Sequence, residues 1–173
     1  RDAQGNSVTG GRHGPDEQNL HRNKRSLAID LKHTDGKALF HLLAKDADVV
    51  VENFRSSVKY RLGVDYNTLK AINPGLVYAS ISGFGQDGPD SERPGVDQIV
   101  QGMSGLMSIT GEPGQGPMRV GIAISDTSAG MFLGQGILLA LLHRERTGEG
   151  QWVHTSLLEA MMSKLDFQGA RYT

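Results

Sequence analysis

Apolar and polar residues alternate over residues 26–32, SLAIDLK, which predicts a strand. In the next stretch, HTDGKALFHLLAKDAD, the residues Ala38, Leu39, Leu42 and Leu43 recur at helical spacing, with Asp35 placed to cap the helix. DVVVENF is a short β-branched run, expected as a buried strand. SVKYRLGVDYNTLKAINPG carries two short helical patterns, broken at Gly63 and stopped at Pro74. LVYASIS reads as the next strand. Strand, helix, strand, helix, strand is the order of an α/β fold with a parallel sheet. Further on, GVDQIVQGMSGLMSITG predicts a helix with small residues on one side, GEPGQGP a turn, and MRVGIAIS a strand. The long apolar run after Asp126 predicts a helix stopped at Gly148, with Arg144 and Arg146 in its last turn, where cations suit the helix dipole. QWVHTSLLEAMMSKL starts as a strand and becomes helical. Residues 1–20 are polar and Gly-rich, a loop-like lead-in.

Composition narrows this picture without redirecting it. The 173 residues carry a net charge of −1 and no cysteine. Balanced charge offers no basic field for nucleic acid, and the lack of thiols excludes disulfides and thiolate metal sites. His13, His33, His41, His143 and His154 show no metal-ligand spacing, so no metal is expected. No apolar run approaches the roughly 18 residues of a membrane span, and the lead-in lacks the apolar core of a signal peptide. The expectation is a cytoplasmic domain with no membrane or nucleic-acid partner.

Residues 83–88 read GFGQDG, a G-x-G-x-x-G spelling directly after a predicted strand. In a dinucleotide fold the third glycine lies inside a helix that opens at this loop. Here Gly88 is followed by Pro89 and the polar DSERPG, without apolar periodicity. A Gly-rich loop at the carboxyl end of a strand, the edge where open α/β sheets bind ligands, describes it better.

Several groups are candidates for chemistry. Asp126 stands between a predicted strand and a predicted helix. It can cap the helix, or face the ligand edge and attack an acyl group beside helix N–H groups. His21, Arg22, Lys24 and Arg25 form a compact basic cluster, either a solvated surface or a phosphate contact that Lys32 and Arg61 can join. Asn53, Phe54 and Arg55 follow a buried strand and offer a nucleotide hydrogen bonding, stacking and charge, although an ordinary βα turn reads the same. Met103, Met107, Met161 and Met162 are expected in the core, and Trp152 in packing.

RNKRSLAIDLK, DVVVENFR, RLGVDY, INPGLVYASISGFGQDGP, GLMSITGEP and HRERTGEGQWV, in this order, form a specific set. From about residue 20 onward the chain resembles the family III CoA-transferases, a CaiB/BaiF-like group that includes formyl-CoA transferase and the carnitine CoA-transferases and is related to α-methylacyl-CoA racemase. The resemblance implies a Rossmann-like large domain, a smaller domain, and an interlocked homodimer. It implies transfer of coenzyme A from an acyl-CoA to a carboxylic acid through an aspartyl–acyl anhydride and an aspartyl-CoA thioester. The family's aspartate falls on Asp126, in ISDTSAGM. Its CoA contacts fall on Ile29, Lys32, Asn53, Phe54, Arg55 and Arg61, with the basic side chains on the phosphates. The GFGQDGP loop matches a family loop near the active-site edge. In the racemases a histidine that moves the α-proton precedes the aspartate of the segment reading GVDQI here. This chain has Val96, which moves no proton, and so favours a transferase over a racemase or epimerase. A catalytically silent CoA-binding or dimerisation module is the third reading. Family members begin with a further strand–helix–strand unit and continue into a small domain whose loop closes over the aspartate. Residues 21–173 are therefore expected to be part of a large domain, and the fragment alone to form an incomplete site.

Overall fold

A computed structural model of the chain describes residues 14–171. Three parallel strands lie at its centre: β1 (Val49–Glu52), β2 (Val77–Ser82) and β3 (Trp152–Ser156), in the order β1-β2-β3. Val49 pairs with Val77 and Glu52 with Ser80, while Tyr78 pairs with Trp152 and Ser82 with Ser156. All three carboxyl ends therefore open on one edge. The connections are helical, as parallel pairing demands. In chain order the helices are α1 (Pro15–Leu20), α2 (Thr34–Lys45), α3 (Ser56–Leu62), α4 (Tyr66–Ile72), α5 (Asp97–Met103), α6 (Ile124–Thr147), α7 (Leu157–Leu165) and α8 (Phe167–Ala170), with a 3-10 turn at Leu106–Ile109. This is the expected α/β architecture.

Both faces of the sheet carry a core cluster, but β1, expected as a buried strand, is an edge strand of the described sheet with Val51 57 % exposed. Ala44, Leu69, Leu76 and Tyr78 form one core cluster, with Phe40 and Trp152 packed against it. Val100, Ala129, Leu157, Ala160 and Met161 form the other, with Ile81 and Phe84 beside it. Tyr78 and Ile81 are three positions apart on one strand, so the clusters lie on opposite faces. Burial pushes the Tyr78 phenol above its ordinary value, and its hydroxyl donates to the Val64 carbonyl at 2.8 Å. By length and composition α6 is apolar enough to cross a membrane. Its inner face instead buries Ser125, Ser128, Ala129, Leu133 and Ala140, and the helix packs on β2, β3 and α7. Gly148 ends it in the left-handed conformation, and Arg144 from its last turn reaches Asp48 at 2.9 Å.

Several expectations are corrected. Residues 26–32 form no strand: they pair with no ladder, and Leu27 is exposed. Residues 118–125 form none either. There the buried Gln101 side chain takes the place of a neighbouring strand, accepting from the Val120 N–H at 2.8 Å and donating to the Ile122 carbonyl at 3.2 Å. α2 is capped by His33, whose Nδ1 accepts from the Asp35 N–H, so Asp35 sits in the first turn. The helix expected over GVDQIVQGMSGLMSITG stops at Met103, and Gly105, at positive φ, starts the 3-10 turn. The lead-in holds a short helix, α1, while residues 1–13, including His13, lie outside the described residues. Met161 is in the core, but Met103 and Met162 are exposed.

Candidate active site

The carboxyl edge of the sheet frames a cleft of about 470 Å³. Asn53, Phe54 and Arg55, just past β1, form one wall; Ser82 and Gly83, ending β2, form another. Arg93, Val96, Leu157 and Asp126 complete it. The cleft thus brings together two of the sequence candidates that lie 71 to 73 positions apart, Asp126 and the 53–55 turn. Ile29, Lys32 and Arg61 do not line it. Ile29 packs against Gly36 at the start of α2, Lys32 is exposed with its N–H on Asp30, and Arg61 is exposed in the last turn of α3. His21, Arg22, Lys24 and Arg25 are exposed as well.

Residues 83–96 are loop and turn, with no helix opening at the G-x-G-x-x-G spelling. Gly85 and Gly88 have positive φ, as a tight loop of this composition allows. Gly83 has a different reason to be glycine. A Cβ there would stand 2.5 Å from the Gly95 Cα, so the loop's two ends touch backbone to backbone. Gly83→Ala is expected to lose about 1–3 kcal/mol of stability, read by denaturant unfolding, because neither backbone can give way.

Asp126 is not the helix cap. It lies in the first turn of α6, whose cap residue is Ala123, without a side-chain cap bond. The capping carboxylate comes from Asp97, the first residue of α5. Its Oδ1 accepts from the Ser125 N–H at 2.8 Å and the Ser125 hydroxyl at 2.6 Å, its Oδ2 from Gln101 Nε2 at 2.7 Å, and its carboxylate also takes the Asp126 N–H. Sequence reasoning missed this role, because nothing in GVDQI shows which helix end the aspartate will meet. Burial opposes the Asp97 charge, but the bonds from Ser125, Gln101 and Asp126 outweigh it and hold the carboxyl below its ordinary range. Asp126 goes the other way: partial burial, then repulsion from Asp97, raises its carboxyl. Two carboxyls held in opposite directions on one ridge are the kind of pair that acid–base and nucleophilic sites use.

Because its folded value is lowered, Asp97 adds stability above the ordinary aspartate value of 3.8, and this is lost as pH falls through the folded value. The stability gap between the wild type and Asp97→Asn is therefore expected to be widest at neutral pH and to close below 3.8 in acid titration of unfolding.

A second hollow, of about 390 Å³, also reaches Asp126 and is lined by Val96, Asp97, Arg119 and Ile122 among others. Asp126 and Val96 belong to both hollows.

Beneath the cleft is an ion pair that the sequence did not announce. Lys59, on α3, is 0 % exposed and pairs with Glu52 at 3.1 Å. Its ammonium also donates to Gln86 Oε1 and to Ser80 Oγ, and lies 4.8 Å from the Trp152 ring centroid. Glu52 in turn accepts from the Phe54 N–H at 2.6 Å, and Gln86 Nε2 donates to Ser82 Oγ at 3.3 Å. One buried circuit therefore ties the two cleft walls, at Phe54 and at Ser82. The only advance signal was a lysine within a helical pattern. Trp152 is more than packing, since its indole N–H donates to Ser80 at 2.8 Å. Lys59→Met, which strands Glu52, is expected to cost about 3–5 kcal/mol in denaturant unfolding, and the Glu52→Gln/Lys59→Met double to recover most of it.

Comparison with known proteins bears on the family and the fold. Residues 11–173 match the model of CoA-transferase family III. The chain is 46% identical over 151 residues to the succinate–glutarate CoA-transferase of Agrobacterium fabrum, covering 87% of this chain and 38% of that protein. It is 45% identical over 147 residues to the acetyl-CoA:oxalate CoA-transferase of Acetobacter aceti, covering 84% of this chain and 38% of that protein. A solved CaiB/BaiF family protein from Brucella suis superposes with a TM-score of 0.83 at 43% identity, over 86% of this chain and 39% of that one. The chain thus spans under two-fifths of the length of these relatives. The chain belongs to CoA-transferase family III.

Proposed function

We propose that Asp126 is the nucleophile of an enzyme that moves CoA from an acyl-CoA to a carboxylic acid. The observation that carries this is its position: an aspartate in the first turn of α6, in one cleft with Asn53, Phe54 and Arg55 at the carboxyl edge of the parallel sheet. Phe54 and Asn53 suit an adenine, and Arg55 a phosphate. Lys32, Arg61 and Ile29 extend this contact along the neighbouring surface.

The Asp126 carboxylate attacks the thioester carbonyl; the C–S bond breaks and CoA leaves as thiolate. The thiolate then attacks the Asp126 carbonyl of the anhydride, releasing the donor acid and leaving an aspartyl-CoA thioester. The acceptor carboxylate attacks that thioester and again expels the thiolate, which attacks the acceptor carbonyl and frees Asp126. Each step exchanges one acyl bond for another, so no external proton donor or oxidant is needed. The relatives named above are named for succinate and glutarate, and for acetyl-CoA and oxalate. We take the acids here to be dicarboxylates of that kind, and the working unit to be a homodimer.

Val96 speaks against proton abstraction, since the ridge carries no second base beside Asp126 other than the fully hydrogen-bonded Asp97. The test is incubation with succinyl-CoA and a panel of acids in heavy water. New acyl-CoA without deuterium in the acyl chain is expected. Deuterium at the α-carbon without transfer would overturn the reading in favour of a racemase.

A further inference from the structure

The mechanism needs the acid's reacting carboxyl at Asp126 and leaves open where the rest of the acid lies. The cleft on the 53–55 side is taken by the CoA end. The second hollow also reaches Asp126, and Arg119 is the one cation lining it. Among the described residues, the guanidinium of the exposed Arg119 has no ion pair or hydrogen bond, as is also true of Arg55 and Arg61, but of these it alone lines the second hollow. An arginine without an internal carboxylate partner, in a hollow that ends at the reacting group, is available for a carboxylate that arrives with substrate.

Its backbone is anchored on both sides. The segment carrying Arg119 forms no strand, yet it is pegged at Val120 and Ile122 by the Gln101 side chain. Gln101 is fully buried and donates to Asp97, the same carboxylate that takes the N–H of Asp126. One buried pair, Asp97 and Gln101, therefore sets both ends of the hollow. The backbone from which the Asp126 and Arg119 side chains reach into the hollow is thereby tied to the core, as a site selective for an acid's length requires. Val96, 57 % exposed, gives the hollow an apolar wall suited to a short methylene chain.

We infer that Arg119 is a specificity-determining residue that binds the distal carboxylate of a dicarboxylic acid whose other carboxyl reacts at Asp126. This rests on the reading of Asp126 as nucleophile. A bidentate guanidinium–carboxylate contact favours acids that carry the second carboxylate and leaves monocarboxylates to bind through their chain alone.

The experiment compares the wild type with Arg119→Gln, using succinyl-CoA as donor and, as acceptors, glutarate and the equally long monocarboxylate pentanoate. KM for glutarate is expected to rise about tenfold or more in the variant, while KM for pentanoate stays within about twofold. KM for succinyl-CoA rises too, as its acyl group also ends in a carboxylate, whereas the affinity for free CoA, measured by calorimetry, is unchanged. Arg119→Lys restores part of the preference, which a merely structural role would not produce. An unchanged glutarate KM, or equal losses for glutarate and pentanoate, overturns the assignment while leaving the transfer mechanism standing. A wild type that binds CoA yet transfers it to neither acid overturns the mechanism itself, and this inference with it.

Discussion

Asp126→Ala is expected to lower the rate of CoA transfer by about 10⁴-fold or more, with CoA still bound. The loss is that large because, in the proposed mechanism, the carboxylate forms the covalent intermediate, and a methyl group offers no lone pair. The fold should survive. Asp126 is exposed, and the capping bonds at the start of α6 run from Ser125 and from the Asp126 N–H to Asp97, all of which alanine keeps. The sign of the titration points the same way. Burial, then Asp97, raises the Asp126 carboxyl, so its contribution to stability is present below 3.8 and lost as pH rises through the folded value. At neutral pH the ionised side chain is a burden, and the variant should be at least as stable as the wild type in denaturant unfolding. Inactivity with intact stability separates a chemical role from a structural one.

Asp97→Ala should fail in the opposite manner, losing stability and activity together. The substitution strands the Ser125 hydroxyl and N–H, the Asp126 N–H and the Gln101 amide at a position that is only 9 % exposed. Leaving several buried donors without an acceptor costs about 3 kcal/mol or more. The start of α6 and the segment pegged by Gln101 then lose their common anchor, and misplacing the nucleophile in this way costs about 100-fold in rate. Asp97→Asn is the subtler probe. It keeps the shape, removes the charge that repels the Asp126 anion, and so should shift the acid limb of the kcat/KM profile to lower pH. A limb that does not move, in an Asp97→Asn protein that folds, would mean that the two carboxyls do not sense each other.

The parallel sheet was legible because β1 and β2 are apolar runs bounded by turn residues; β2 is buried as such runs are in parallel sheets, whereas β1 lies at the edge of the described sheet with Val51 exposed. α6 was legible for the same reason, with Gly148 and Arg144 marking its end. The two missing strands, at 26–32 and 118–125, show where the pattern misleads. Alternation makes a segment able to extend, but a ladder needs a neighbour, and neither segment has one in the described structure. In the second, a single buried side chain, Gln101, satisfies the backbone instead, and no local pattern announces that. Asp126 and the 53–55 turn stood out in the sequence because each follows or precedes an apolar run. That they line one cleft is a product of the parallel register. Asp97, Lys59 and Arg119 were passed over, since the first two act through partners 21 to 28 positions away and the third sits in a stretch read as strand.

The central claim is that Asp126 carries the CoA during transfer. The most direct test is to treat the protein with succinyl-CoA without an acceptor, quench with hydroxylamine, and map the product by peptide mass spectrometry. The account predicts an aspartyl hydroxamate at Asp126 that is absent when succinyl-CoA is omitted and absent from Asp126→Ala. A protein that binds CoA and transfers it but yields no hydroxamate, or yields it on another residue, would contradict the account.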